Sequence, residues 1–214
     1  MATISEQPEI QTEKRPLRII LIIAGGVIAG LALGWLLLQW LMPPSYNGQV
    51  IDSQTPLTNF TLTGADGEPT SLIDFRGKVV MLYYGYTFCP DVCPATMAEL
   101  KTAVQELGRA AEDVQVIMIS LDPERDTPEV LEKYVTHFHP SFIGLTGSED
   151  EIVAASAPLG IFYEREQGSA ATGYLINHTA TVMVLDKNGY LRLLYHFGTP
   201  GEDMASDLKT LVRE

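Results

Sequence analysis

At 214 residues and 46% hydrophobic content, the chain has room for one domain of about 150 residues with a real core, plus an appendage. A formal net charge of −13, from 14 Lys and Arg against 27 Asp and Glu, excludes nucleic-acid binding built on clustered bases. Two cysteines are too few for a disulfide scaffold.

Residues 1–18 carry Glu6, Glu9 and Glu13, then Lys14, Arg15 and Arg18 packed against an uncharged run from Ile19 to Leu38 whose apolar character continues to Met42. Such a run crosses a ~30 Å hydrocarbon layer as a helix, and Trp35 and Trp40 suit its interfacial belt. No Lys or Arg follows until Arg76, so the positive-inside rule puts the tail (1–18) in the cytoplasm and the main domain outside. A cleaved signal peptide is the competing reading, but the apolar run is longer than a signal core and no small-x-small site closes it. The span is expected over 19–42. Residues 43–55, polar and without pattern, are expected as a linker, with the domain over 56–214.

Phe60–Leu62 and Thr70–Leu72 flank a Gly64-Ala65-Asp66-Gly67 turn and predict a small opening hairpin. The apolar run Val79–Tyr84 predicts a strand, and Pro94 to about Leu107 a helix. Val114–Ser120 predicts a buried parallel strand, which completes a β-α-β unit. Thr127-Pro128-Glu129 opens a helix to about His137; Phe142–Gly144 is a brief strand; Ser148-Glu149-Asp150-Glu151 is a capping box for the next helix, ending before Pro158. Glu164–Gly173 reads as loop. Thr179–Leu185 and Leu191–Phe197, joined by Asp186-Lys187-Asn188-Gly189, form a hairpin, and Thr199-Pro200-Gly201-Glu202 predicts a last helix with another capping box. The order is an α/β, thioredoxin-like one.

Between the Val79 strand and the Pro94 helix stand the chain's two cysteines, Cys89 and Cys93, spaced C-x-x-x-C. A strand-to-helix turn puts Cys89 beside the unpaired N–H groups and positive end of a helix, which favour thiolate over thiol. Pro90 and Pro94 stiffen the support. The pair is able to oxidise together or to clamp one soft metal ion; as a plain structural disulfide it would close too short a loop to remove much unfolded-state entropy. His137 and His139 read as a helix-end capping cluster in preference to a metal site, and His196 as a strand residue. Asp122, Glu124, Arg125 and Asp126 follow a strand's C-terminal end, where they either line a site, dock a partner, or make a turn.

Gly85-Tyr86-Thr87-Phe88-Cys89-Pro90-Asp91-Val92-Cys93-Pro94, Ser120-Leu121-Asp122-Pro123-Glu124-Arg125-Asp126-Thr127, Leu145-Thr146-Gly147 and Asn177-His178-Thr179 together resemble the Sco/SenC family over roughly 56–214. The resemblance implies a thioredoxin-like copper protein that helps assemble the dinuclear copper site of cytochrome c oxidase, as metallochaperone, as thiol reductant, or as both. It implies Cys89, Cys93 and His178 as metal ligands, copper as Cu(I) with Cu(II) left open, and Cys89 and Cys93 as the redox pair of a reductase. The implied partners are the copper-bearing oxidase subunit and further copper chaperones or thiol reductants. The expected setting is a bacterial cell membrane with the domain on its extracytoplasmic (periplasmic) side, the space outside a single-membrane bacterium and a mitochondrial equivalent being the alternatives. Two thiolates and one imidazole suit Cu(I), whereas a structural Zn(II) normally takes a fourth protein ligand. C-x-x-x-C spacing, and no proline between Pro158 and Pro200, depart from the usual thioredoxin-type reductase.

Overall fold

The computed structural model describes residues 15–41, 45–169 and 173–214, and the chain divides into two units, 1–44 and 45–214. The described residues of the first form one helix, α1 (Arg15–Leu41), whose stretch Ile19–Leu38 has a mean hydropathy of 2.5 and is long and apolar enough to cross a membrane. Helix geometry starts at Arg15, inside the stretch expected as tail; residues 1–14 and Met42 lie outside the described residues, as does the Trp40 side chain.

The second unit is built on a six-stranded mixed sheet with helices packed against it. In chain order its elements are β1 (Gln49–Val50), β2 (Thr61–Thr63), β3 (Pro69–Ser71), β4 (Val79–Gly85), α2 (Val92–Leu107), β5 (Val114–Ser120), α3 (Pro128–Phe138), β6 (Ile143–Leu145), α4 (Glu149–Ser156), β7 (Tyr163–Gln167), β8 (Tyr174–His178), β9 (Thr181–Leu185), β10 (Leu191–His196) and α5 (Gly201–Leu211). The sheet order is β1-β10-β9-β4-β5-β6, with β4, β5 and β6 parallel and β9, β10 and β1 antiparallel to their neighbours. β4 and β5 are buried along their whole length, as their largely apolar runs require of strands covered on both faces; the buried Gln115 of β5 donates to the Val116 and Ser141 carbonyls. This is the expected thioredoxin-like architecture.

Three expectations need correction. Residues 45–55, expected as free linker, are folded onto the domain: β1 pairs with β10, and the buried Asp207 carboxylate accepts hydrogen bonds from the Asn47 and Gly48 amides and from Tyr195 Oη. Glu164–Gly173, expected as loop, contains β7, which pairs with β8 in a two-stranded sheet; residues 170–172 lie outside the described residues. The hairpin strand expected from Thr179 begins at Thr181, and His178 before it ends β8.

The expected capping box on α5 is also absent. Thr199 Oγ1 donates to His196 O at 2.8 Å, and the first-turn amide of Gly201 instead donates to Glu99 Oε2 of α2 at 2.7 Å. A Cβ at Gly201 would lie 2.4 Å from the Glu99 carbonyl, so glycine is what lets the two helices meet.

Candidate metal centre

β4 carries the chain from the middle of the sheet to its C-terminal edge, where sites in open α/β sheets collect. Its last residue is Gly85. A Cβ there would stand 2.9 Å from Tyr83 Cε1, 3.1 Å from Cys93 Sγ and 3.2 Å from Met118 Cε, so the missing side chain is the space that Cys93 occupies. The next turn is anchored from below. Thr87 donates from its amide at 3.0 Å and its hydroxyl at 2.5 Å to Asp126, and Ser120 Oγ donates to the same carboxylate at 2.6 Å. Burial raises the Asp126 pKa, while these hydrogen bonds pull it the other way.

Cys89 is half-buried in this loop and Cys93 is fully buried in the first turn of α2; both are free thiols. The amide of Cys93, one of the helix's unpaired N–H groups, donates to Cys89 Sγ at 3.3 Å. The Cys89 thiol is pushed well below the ordinary range, first by the hydrogen bond from Cys93, then, against burial, by His178 and by the amides of Cys93 and Asp91. Cys93 is pushed the other way, by its partner sulfur and by burial. One proton thus serves the pair, and Cys89, the better exposed and better solvated sulfur, is the thiolate.

The end of β8 brings His178 over α2, with Nε2 3.6 Å from Cys93 Sγ. Its Nδ1 lies 3.1 Å from the Thr179 carbonyl, which only accepts, so Nδ1–H points there and Nε2 is the nitrogen that faces the sulfurs. The ring is boxed edge-on by Tyr83, at 6.4 Å between centroids, and Tyr86, at 6.1 Å. Cys89 and His178 open on a cleft of about 360 Å³ whose wall includes Tyr86, Asp91, Glu166 and Asn177, with Cys93 buried behind them.

The donor set fits a soft, low-coordinate cation. For metal–sulfur and metal–nitrogen bonds of about 2.3 and 2.0 Å at trigonal angles, sulfur and nitrogen stand about 3.7 Å apart. The observed 3.6 Å between Cys93 Sγ and His178 Nε2 is close to that edge. No three His, Cys, Asp or Glu side chains among the described residues already meet the spacing of a finished metal site. Cys89, on the looser side of the cleft, is the donor with room to close it.

The remaining histidines stand apart from this arrangement. His139 Nδ1 is paired with Ser141 Oγ at 2.8 Å, His137 packs edge-on against Phe138, and His196 is exposed at the end of β10. Asp122 and Asp126 are buried braces and do not line the cleft, while Glu124 pairs with Arg165 on the surface. Sequence reasoning missed Tyr83, Tyr86 and Tyr174. The alternation of Tyr174, Ile176 and His178 was the available signal for β8, since these share one strand face.

The SCO1/SenC family model matches residues 49–213. The chain is 36% identical over 148 residues to a SCO2-like protein of Rickettsia felis, which is 68% of this chain and 72% of the relative. Among solved structures, apo Sco1 from Thermus thermophilus is 43% identical with a TM-score of 0.66, over 78% of this chain and 94% of that one. Copper-bound ScoI from Bradyrhizobium japonicum is 30% identical with a TM-score of 0.67, over 73% of this chain and 99% of that one.

Proposed function

The chain belongs to the SCO1/SenC family, and from that premise we propose that it is a membrane-anchored copper metallochaperone for the dinuclear copper site of cytochrome c oxidase, with Cys89, Cys93 and His178 as ligands. The observation that carries this reading is the approach of His178 Nε2 to 3.6 Å from Cys93 Sγ, across 85 positions of sequence. Copper is cargo here. The buried Cys93 and the oriented imidazole make the fixed side of the site. Cys89, half-buried at the mouth of the cleft, is the ligand that an acceptor's thiolate displaces first. The copper bound by the Bradyrhizobium relative supports the choice of metal. Lys14, Arg15 and Arg18, ahead of a span followed by no base until Arg76, support a cytoplasmic N-terminus and a domain on the periplasmic side.

The test is Cu(I) titration of the full-length reduced protein in detergent, with X-ray absorption of the bound ion. His178→Ala is expected to weaken binding and remove the nitrogen scatterer while both thiols stay oxidisable. Unchanged affinity with an unchanged ligand shell rejects His178 as a ligand.

The opposed states of the two thiols favour a second reading, a thiol-disulfide reductase acting on the oxidase site or on other extracytoplasmic proteins. The Cys89 thiolate attacks a partner disulfide, forming a mixed disulfide and expelling one partner thiolate. Cys93, deprotonated as it reacts, then attacks Cys89 Sγ, releasing the second partner thiol and leaving Cys89 and Cys93 oxidised by two electrons. A measured dithiol potential too oxidising to reduce a copper-site disulfide sinks this reading.

A further inference from the structure

His178 is carried by a hairpin that has little to hold it. β7 and β8 pair only with each other, outside the main sheet, and four of the five β7 residues are exposed. In β8 only Ile176 is buried. A free-standing two-stranded hairpin is marginal in water, so the position of its last residue has to be set by ties to the rest of the domain.

One tie holds the middle of β8, where the Ile176 amide donates to Tyr86 Oη at 3.2 Å, and the others at this end of the hairpin converge on Tyr174. Tyr174 Oη donates to Asp122 Oδ1 at 2.5 Å, and the Tyr174 carbonyl accepts from Arg125 Nη1 at 3.1 Å. The Arg125 guanidinium also lies over the Tyr174 ring, 3.7 Å from its centroid. Asp122 is fully buried and is ion-paired with Arg125 Nε. The turn continues directly from β5, the strand paired with β4, which leads into the cysteine loop. On its other side the same guanidinium reaches Phe88, 4.8 Å from the ring and adjacent in sequence to Cys89. The outer pair, Arg165 with Glu124, is solvent-exposed on both sides and contributes little.

We propose that Tyr174, gripped by Asp122 and Arg125, is the latch that sets His178 over the two sulfurs, so that Tyr174 and Arg125 are positioning residues for copper binding; this rests on His178 being a ligand. Tyr174 and His178 are four apart on one strand, on the same face, so a hinge at the first displaces the second. Groups that hold a metal-binding histidine in place typically matter 10- to 100-fold for metal affinity, though they never touch the ion.

The test compares four full-length proteins in detergent: wild type, Tyr174→Phe, His178→Ala, and the double variant, with Cu(I) affinity and the nitrogen share of the ligand shell as readouts. Tyr174→Phe removes one oxygen and leaves ring and fold in place. It is expected to weaken Cu(I) binding by about tenfold and to thin the nitrogen shell, but to change nothing further when His178 is already alanine. Arg125→Lys, which keeps the charge and loses the planar stack, is expected to follow Tyr174→Phe. Unaltered binding in Tyr174→Phe, with His178→Ala clearly weakened, overturns the latch. An equal loss in both backgrounds overturns it too, since that is general destabilisation. No effect of His178→Ala removes the ligand reading, and the latch with it.

Discussion

A methyl group added at Gly85 tests how tightly the sulfur site is built into the sheet. In Gly85→Ala the new Cβ meets Tyr83 Cε1 at 2.9 Å, Cys93 Sγ at 3.1 Å and Met118 Cε at 3.2 Å, all closer than ordinary carbon contacts. Met118 Cε ends a flexible side chain and is able to move. The Tyr83 ring is fully buried with its edge toward the His178 ring, and it has nowhere to go. Cys93 Sγ has one rotor, and turning it spoils the approach to His178. Overpacking by one methyl in such a core costs about 1–3 kcal/mol. At about 2–4 °C per kcal/mol for a protein of this size, the apparent Tm should fall by about 2–12 °C. Far-UV circular dichroism of the full chain in detergent reads the melting point, and chelator competition reads Cu(I) affinity, which should fall as well. An unchanged Tm together with unchanged affinity would refute the reasoning, because it would mean that the space beneath Gly85 is not what seats Cys93.

Two further outcomes follow from the same packing. The folded-state pKa of Cys89 lies below its unfolded value, so its stabilising contribution is fully present above pH 9.0 and is lost as pH falls toward about 3. Cys93 has the opposite sign: its contribution is present below 9.0 and lost as pH rises beyond it. In the reduced protein, iodoacetamide should therefore label one thiol, at a rate whose midpoint lies far below the ordinary thiol range. A midpoint near pH 8.5 contradicts the arrangement. Asp207→Ala should free the segment 45–50: Asn47 and Gly48 lose a buried acceptor at 2.9–3.0 Å and Tyr195 Oη is stranded, at a cost of about 3 kcal/mol. Limited proteolysis checks it, and an unchanged cleavage pattern around 45–50 would count against the clamp.

Much of the fold was legible because it obeys local rules. Val79–Tyr84 is apolar without interruption and Val114–Ser120 is mostly so, and both are buried parallel strands; Thr127 and Ser148 cap α3 and α4 as their side chains suggest. The misread stretches share a different physics. β7 is Tyr-Glu-Arg-Glu-Gln, an exposed strand held through ties from its hairpin to Asp122, Arg125 and Tyr86, and no hydrophobic alternation announces it. β1 is two residues long and is kept in place by an acid 160 positions away. Neither kind of contact leaves a periodic trace in the chain.

The sequence by itself determined the chemistry on offer: two sulfurs at a strand-to-helix turn, an apolar helix ahead of an acidic domain, and, through the family motifs, a histidine to join them. That is because cysteine spacing, capping and hydrophobic run length are all settled within a few neighbouring residues. That Cys89 is the ionised sulfur was legible from its place at the helix end; only the tertiary structure decided how strongly Cys93 opposes it, which ring nitrogen faces the pair, and what carries the imidazole there. These depend on burial, on a helix amide pointing at Cys89, and on a polar hairpin tied to a turn some fifty residues earlier. Distance in space, which the linear order does not encode, is what separates the two.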